Sequence, residues 1–313
     1  MKTTLIIYES HHGSAKKAAT ILGTIIGNTK VYPVDEAPDT IYFNNLVAVF
    51  GFCGTNTATG TMAYLSKVKD LIEKKPMAVI GIGLAKCDLP GFCEKIRDAA
   101  GGKEFDAYFS EGELRVKDLT AGERDLLADF FEKYGMTLED KGNFNTANLT
   151  DIACELALKY RVPKKPMAKD FLREKIRAFI LSHNTMVLAT AKDDWVRCTP
   201  LEYIYLDGII YVITEGGLKC KGLWQNENIS AVIYDAYRTM ANIKGLQITG
   251  KAECIEVMCD EYQQVFMKRH LPLKKIDELP ISLYLIRVTP VKYEILNSDF
   301  KKDGFDVRQV LTV

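Results

Sequence analysis

The feature that most constrains this chain is an alternation in its first half. Apolar runs at Thr4-Leu5-Ile6-Ile7-Tyr8, Leu46-Val47-Ala48-Val49-Phe50-Gly51 and Met77-Ala78-Val79-Ile80-Gly81-Ile82 are separated by stretches of helical spacing. A strand that is apolar at every position is buried on both faces. Such strands joined by helices fold as a parallel sheet covered on both sides. The spacing predicts helices at about 13–27, 60–74, 90–100, 120–134 and 146–160. It also predicts a short strand at 30–34 and another at Phe105-Asp106-Ala107-Tyr108-Phe109.

The pattern changes after Arg161-Val162-Pro163-Lys164-Lys165-Pro166. That segment is polar, basic and twice broken by proline, and it reads as a linker over 161–166. Beyond it, a helix at about 169–182 precedes strand-like runs at Thr185–Ala191, Arg197–Tyr205, Ile209–Thr214, Ile229–Tyr234 and Gly245–Val257. Tyr284–Val288 and Lys292–Leu296 follow, and a helix at about 219–226 interrupts the series. Asp207-Gly208 is a hairpin signal. Many antiparallel strands with few helices predict a small barrel. The fold class is therefore α/β plus β, with domains at 1–160 and 167–313. A chain of 313 residues is long enough for two separate cores. The two halves share no internal repeat.

Composition narrows the function classes. No run of 18 apolar residues exists, so no membrane span is expected. Met1-Lys2-Thr3 leads straight into a strand, without the apolar stretch of a signal peptide, and a cytoplasmic location is expected. The net charge is zero, with a mildly acidic first half and a mildly basic second half. That asymmetry is too weak for a nucleic-acid partner. The eight cysteines form no CxxC and the four histidines no HExxH, so no metal site is expected. Cys53 and Cys87 follow adjacent strands in the expected order 2-1-3-4-5. They are a candidate redox pair, although unrelated loop thiols are the commoner case.

Two segments suit phosphate. Ser10-His11-His12-Gly13-Ser14-Ala15 carries the chain from the first strand into a helix, whose free N–H groups and positive end attract anions. It has neither the lysine of a nucleoside-triphosphate loop nor a GxGxxG. The pattern Tyr8-x-Ser10-x-x-Gly13-x-Ala15-x-x-x-Ala19 is similar to the FMN phosphate loop of flavodoxins, especially the short domains related to menaquinone-dependent protoporphyrinogen oxidase. The resemblance covers about residues 1–160. It implies a flavodoxin-like doubly wound sheet and FMN contacts from Ser10, His11, His12, Gly13, Ser14 and Ala15. Gly54, Thr55 and Asn56 would lie beside the flavin ring. Ala15 departs from the threonine usual there, which removes one phosphate hydrogen bond.

The second segment is Arg197-Cys198-Thr199-Pro200, followed by Thr214, Lys219 and Lys221. Paired cations suit a phosphate carrying nearly two charges. Residues 167–313 look like the FMN-binding split barrel of the pyridoxamine 5′-phosphate oxidase-like superfamily. The ordered matches run from Phe171-Leu172-Arg173 through Asp207-Gly208 and Asn226-Glu227-Asn228 to Arg287-Val288-Thr289-Pro290. The resemblance implies that Arg197 and Lys219 hold the FMN phosphate, with Lys221 as an alternate. Backbone groups of residues 197–200 and Thr214 would meet the ring and ribityl chain. It also implies a homodimer through the barrel, with FMN between protomers. Pro200 in a strand points to an edge or site-lining position.

The expected function is an FMN-dependent oxidoreductase with one flavin in residues 167–313 and a second in residues 1–160. A nicotinamide or protein would be the electron donor. Alternatives are a non-enzymatic flavin electron carrier and a flavin- or haem-binding protein. No catalytic acid or base is assigned.

Overall fold

The computed structural model describes residues 2–52, 57–84, 89–133, 135–161, 163, 165–271, 273–276 and 278–313. The chain divides into two compact units, Met1–Val162 and Pro163–Val313.

In the first unit, β1 (Thr4–Glu9), α1 (Ser14–Ile26), β2 (Thr29–Pro33), β3 (Asn45–Gly51) and α2 (Thr59–Ile72) come first. β4 (Met77–Gly83), α3 (Leu89–Ala99), β5 (Asp106–Glu111), α4 (Ala121–Lys133) and α5 (Thr146–Tyr160) follow. The five strands are parallel, in the order β2-β1-β3-β4-β5. Alternate side chains divide the core, as the two-residue period of a strand requires. Ile6, Val47, Val49, Ala78 and Ile80 pack with α1 and α5. Leu5, Ile7, Leu46, Ala48 and Val79 pack with α2 and α3. Both faces are therefore covered, which explains why the strands read as continuous apolar runs.

α2 begins without a cap of its own, because Ala58 sits in the left-handed region at φ 58° and offers no side-chain acceptor. Glu9, at the end of β1, supplies one from a distance of 52 residues. Its carboxylate accepts from the backbone N–H groups of Gly60 at 3.2 Å and Thr61 at 2.7 Å, and from the Thr61 hydroxyl at 2.9 Å. An anion at a helix N-terminus satisfies orphan donors and opposes the positive end of the dipole.

The second unit holds α6 (Lys169–Leu181), β6 (Thr185–Lys192), β7 (Trp195–Glu202), β8 (Ile204–Leu206), β9 (Ile209–Thr214), α7 (Lys219–Leu223) and β10 (Asn228–Tyr234). β11 (Lys244–Ile255), α8 (Asp260–Lys268), α9 (Leu273–Ile276), β12 (Tyr284–Asn297) and β13 (Arg308–Thr312) complete it. Its antiparallel sheet runs β7-β6-β10-β11-β12-β9-β8, with β13 also on β12. β7 and β8 stand at opposite ends of that order, yet only Tyr203 separates them in sequence. The sheet must curl until its ends meet, and β7 does approach β9. Tyr203 is buried at this junction and its phenol donates to the Ile180 carbonyl at 2.6 Å. The interior holds Met186, Leu188, Ile210, Val212, Ile248 and Ile286.

Several element predictions need correction. The run Arg197–Tyr205 is two strands on opposite edges, broken at Tyr203. The runs Tyr284–Val288 and Lys292–Leu296 are one strand. Pro290 is accommodated by a register shift opposite Thr249 and Gly250, and Val291 bulges out. A Cβ at Gly250 would lie 2.5 Å from the Thr289 carbonyl oxygen, so glycine is required at this crossing. The helix expected at 219–226 ends at Leu223. α8, α9 and β13 were not anticipated. The Asp207-Gly208 hairpin forms between β8 and β9, with both residues at positive φ, 50° and 91°.

Candidate functional site

In the first unit, the loop Ser10–Gly13 leads from β1 into α1. Gly13 adopts φ 87°, and its N–H donates to Ser10 Oγ at 3.1 Å. Beside the loop lies a cavity of about 560 Å3 at the C-terminal ends of β3, β4 and β5. Gly51, Gly83 and Gly112 line it near the strand ends, and Phe52, Phe130 and Phe131 supply aromatic walls. The aromatic lining from α4 was missed in the sequence. Its signal was the pairing Leu126-Leu127 and Phe130-Phe131, which makes the apolar face of α4 too wide for the core alone. Leu126 and Phe130 remain 73% and 51% exposed.

The polar edge of the cavity is less suited to a phosphate than its sequence suggests. The Ser14 hydroxyl donates to the Glu113 carbonyl at 2.9 Å and accepts from the Glu113 N–H at 3.2 Å. Ala15 is buried in the core under α1. Glu113 itself lines the cavity, with Lys17 at 3.2 Å and Arg115 at 2.8 Å. Burial pushes the Glu113 carboxyl up, but hydrogen bonds and charge from Lys17 and Arg115 outweigh it and hold its pKa below the ordinary value. His12 is shifted down, chiefly by burial. Glu123, 3.7 Å away, opposes that shift and His11 adds to it. His12 is therefore neutral at pH 7. Gly54, Thr55 and Asn56, and the pair Cys53 and Cys87, lie outside the described residues.

In the second unit, β7 is the edge strand that Pro200 requires, and Pro200 pairs with Val187. A proline there leaves its missing N–H on the unpaired side. Arg197, Cys198 and Pro200 are exposed and Thr199 is half-buried. α7 packs against β6 and β7. Gly222 makes this contact close, because a Cβ there would lie 2.8 Å from Thr190 Cβ. Lys221 Nζ stands 5.1 Å from the ring centre of Trp195 on β7. Arg197 pairs across the ladder with Thr190. Arg197, Lys221 and Thr190 are thus gathered where β6, β7 and α7 meet.

Lys219 and Thr214 are held against the neighbouring turn. Lys219 is buried and its ammonium donates to the Gly216 carbonyl. Thr214 is buried and its hydroxyl accepts from the Gly216 N–H at 3.2 Å. Both brace the turn through Gly216 and Gly217, which have φ 87° and 97°. Arg197 and Lys221 have no carboxylate partner among the described residues. Thr190 Oγ1 and Thr199 Oγ1 are buried there without a hydrogen-bond partner. Buried hydroxyls normally find one, so this corner holds both unspent cations and unspent donors. A phosphate-bearing cofactor fits that donor set. Thr190 was hidden in the sequence by the apolar run Leu188-Ala189-Thr190-Ala191.

Among the described residues no group of three His, Cys, Asp or Glu gathers as metal ligands, and no helix is long and apolar enough to cross a membrane. No curated protein matches the chain. Solved structures similar to part of it include a pyridoxamine 5′-phosphate oxidase assignment from Listeria innocua, at 21% identity and TM-score 0.33, over 41% of this chain and 99% of that one. An FAD-binding protein from Mesorhizobium loti matches at 17% identity and TM-score 0.31, over 39% and 89%. The haem storage protein HutZ from Vibrio cholerae matches at 17% identity and TM-score 0.33, over 38% and 89%. Within the second unit, residues 172–296 match the family model of pyridoxamine 5′-phosphate oxidase and form a domain of that split-barrel type.

Proposed function

We propose that the second unit binds FMN at the corner of β6, β7 and α7, and that the protein is a flavin-dependent oxidoreductase. The observation that carries this reading is the pair of cations without carboxylate partners, Arg197 and Lys221, beside the orphaned hydroxyls of Thr190 and Thr199. All four lie inside the matched region 172–296. Arg197 presents a planar fork to phosphate oxygens and Lys221 a point charge. Lys219 and Thr214 act indirectly, by fixing the turn that leads into α7. Bound flavin would supply hydride and one-electron chemistry, for which the protein provides orientation and charge. A nicotinamide or a protein partner would deliver the electrons, in a cytoplasmic setting.

The same reading assigns a second copy of the chain to cover β7. This edge strand is barely buried, and Val196 on it is 68% exposed. An edge left open in this way invites pairing or coverage. The first unit is proposed to be flavodoxin-like, on its strand order and on a cavity at the strand ends. A second flavin there has an aromatic-walled space for its ring. Its phosphate would lack the Ser14 hydroxyl and would meet the carboxylate of Glu113. For the haem alternative, His183 is not available to iron, because both its ring nitrogens are engaged, Nε2 with Asp235 and Nδ1 with the Phe179 carbonyl, each at 2.9 Å.

Flavin absorbance of the purified full-length protein tests the reading directly. The expected result is FMN retained by the wild type and lost from an Arg197→Gln, Lys221→Gln double variant. A colourless protein that cannot be reconstituted with FMN would overturn it. Bleaching of the bound flavin by NADH or NADPH separates a reductase from a carrier reduced only by another protein.

A further inference from the structure

α7 carries one side chain that phosphate binding does not use. Cys220 lies between Lys219 and Lys221, three residues before Leu223, so it shares the inward face of the helix. Leu223 is buried in the barrel core, and Cys220 packs half-buried against the same cluster. On β11, the alternation Leu246, Ile248, Gly250 and Ala252 points inward, and Cys254 continues it. α7 packs on β11, Cys220 and Cys254 both pack against the same core cluster, and the nearness of Cys220 helps to push the Cys254 thiol up. The other described cysteines are placed differently. Cys93 and Cys154 belong to the first unit, Cys198 is exposed on β7, and Cys259 Sγ accepts from the Tyr262 N–H at 3.5 Å as the cap of α8.

We propose that Cys220 and Cys254 are an oxidisable pair, which hydrogen peroxide converts to a disulfide that ties α7 to β11. The Cys220 sulfur attacks one peroxide oxygen, the O–O bond breaks, and a sulfenic acid and water result. The Cys254 sulfur then displaces the sulfenic oxygen, which leaves as a second water when the Cys254 proton is transferred to it. Two thiols lose two electrons and two protons, and one peroxide becomes two waters. The order follows from burial, which together with Cys220 pushes the Cys254 thiol up to about 11 and keeps it protonated at neutral pH.

The bond would matter because of what else α7 carries. A bond that shifts α7 toward β11 would disturb how Lys221 and the Gly222 contact sit against Thr190 and β7. Oxidation would then loosen the grip on the flavin phosphate, a consequence that rests on the flavin reading above.

The test uses full-length reduced protein treated with hydrogen peroxide, then alkylated and digested. The expected product is a cross-linked peptide pair joining Cys220 to Cys254, lost on reduction and absent from Cys220→Ser and Cys254→Ser. Recovery of Cys220 and Cys254 unlinked, while exposed Cys198 is consumed, would overturn the proposal. Wild-type mapping decides the matter even where a variant fails to fold. In the flavin-loaded protein, disulfide formation should weaken FMN binding by about tenfold or more, the loss expected from disturbing one charged phosphate contact, with recovery on reduction. Unchanged FMN affinity with the disulfide in place would refute the coupling. A reduced protein that binds no FMN defeats the flavin reading instead and leaves the peptide map to judge the pair.

Discussion

Replacing Glu9 by alanine should destabilise the first unit while sparing the second. The carboxylate is 9% exposed and accepts from two backbone N–H groups and the Thr61 hydroxyl at the start of α2. No side chain at the N-cap position of α2 replaces it. A charge-assisted hydrogen bond contributes about 1.5–3 kcal/mol, and a lost helix cap alone costs about 0.5–2 kcal/mol. Water reaching the vacated space recovers part of this, so the expected cost is about 3 kcal/mol. For a unit of this size that corresponds to roughly 6–12 °C in Tm. Glu9→Gln keeps an acceptor and loses only the charge opposite the helix dipole, costing about 1 kcal/mol. The assay exploits the placement of tryptophan. The chain has two, Trp195 and Trp224, both in the second unit. Tryptophan fluorescence in urea reports the second unit, whereas far-ultraviolet circular dichroism reports both. Glu9→Ala should move only the dichroism transition that fluorescence does not follow. A shift below about 0.5 kcal/mol, the range of an ordinary surface change, would refute the capping argument. So would an equal displacement of the fluorescence midpoint.

Other predictions concern the second unit. Arg197→Gln or Lys221→Gln alone should weaken FMN binding by roughly tenfold to a hundredfold and flatten its salt dependence, as read by flavin fluorescence titration. Gly222→Ala would place a Cβ 2.8 Å from Thr190 Cβ and 3.1 Å from the Ala191 backbone nitrogen. It should lower stability by about 1–3 kcal/mol in the fluorescence transition, because α7 must back away from β6. Acid should erode the second unit through Asp299, whose hydrogen bonds to Lys244 and Lys302 hold its pKa down at about 2, against 3.8 ordinarily. A depressed folded pKa gives stability that is complete above pH 4 and fades as pH falls toward 2, so the urea midpoint of Asp299→Asn should vary less across that window. Neutral His12 acts with the same sign near pH 6. Its depressed pKa means that the unfolded chain takes up the proton first, so stability of the first unit falls as pH drops below 6.5, and His12→Asn should flatten that dependence.

The parallel sheet was legible because every strand in its centre is buried on both faces and announces itself as an unbroken apolar run. The barrel was legible in class but not in connection. Periodicity sees Arg197–Tyr205 as one extended segment, and nothing local in it shows that Tyr203 turns the chain from one edge of the sheet to the other. Pro290 reads as a break, and only the opposing Gly250, absorbing the shift, lets the strand continue. α8 carries Tyr262, Val265 and Phe266 at helical spacing, but its cap is a cysteine, which is not a usual start signal. At the site, the cations stood out as residue types, whereas their division of labour did not. Lys219 and Lys221 differ by two positions on one short helix, and this rotation alone buries the first and leaves the second at the surface. Likewise Ser14 looked like a phosphate donor until the loop after β5 brought Glu113 against its hydroxyl, a contact across 99 residues of chain.

The single-residue passage at Tyr203 has a kinetic consequence. β6 with β7, and β8 with β9, are local hairpins that can form early. β9 must then find β12, whose pairing joins Ile210 to Val288 across a long intervening chain. Loop closure over such separations is slow relative to hairpin formation. Until that pairing occurs, the two hairpins remain hinged at Tyr203 with both sheet ends unsealed. Ring closure should therefore be a late step in folding, and substitutions at the β9–β12 seam should speed unfolding more than they slow refolding. Once the ring is shut, neither hairpin can detach without disturbing the other, because the clasp between them is a single buried tyrosine.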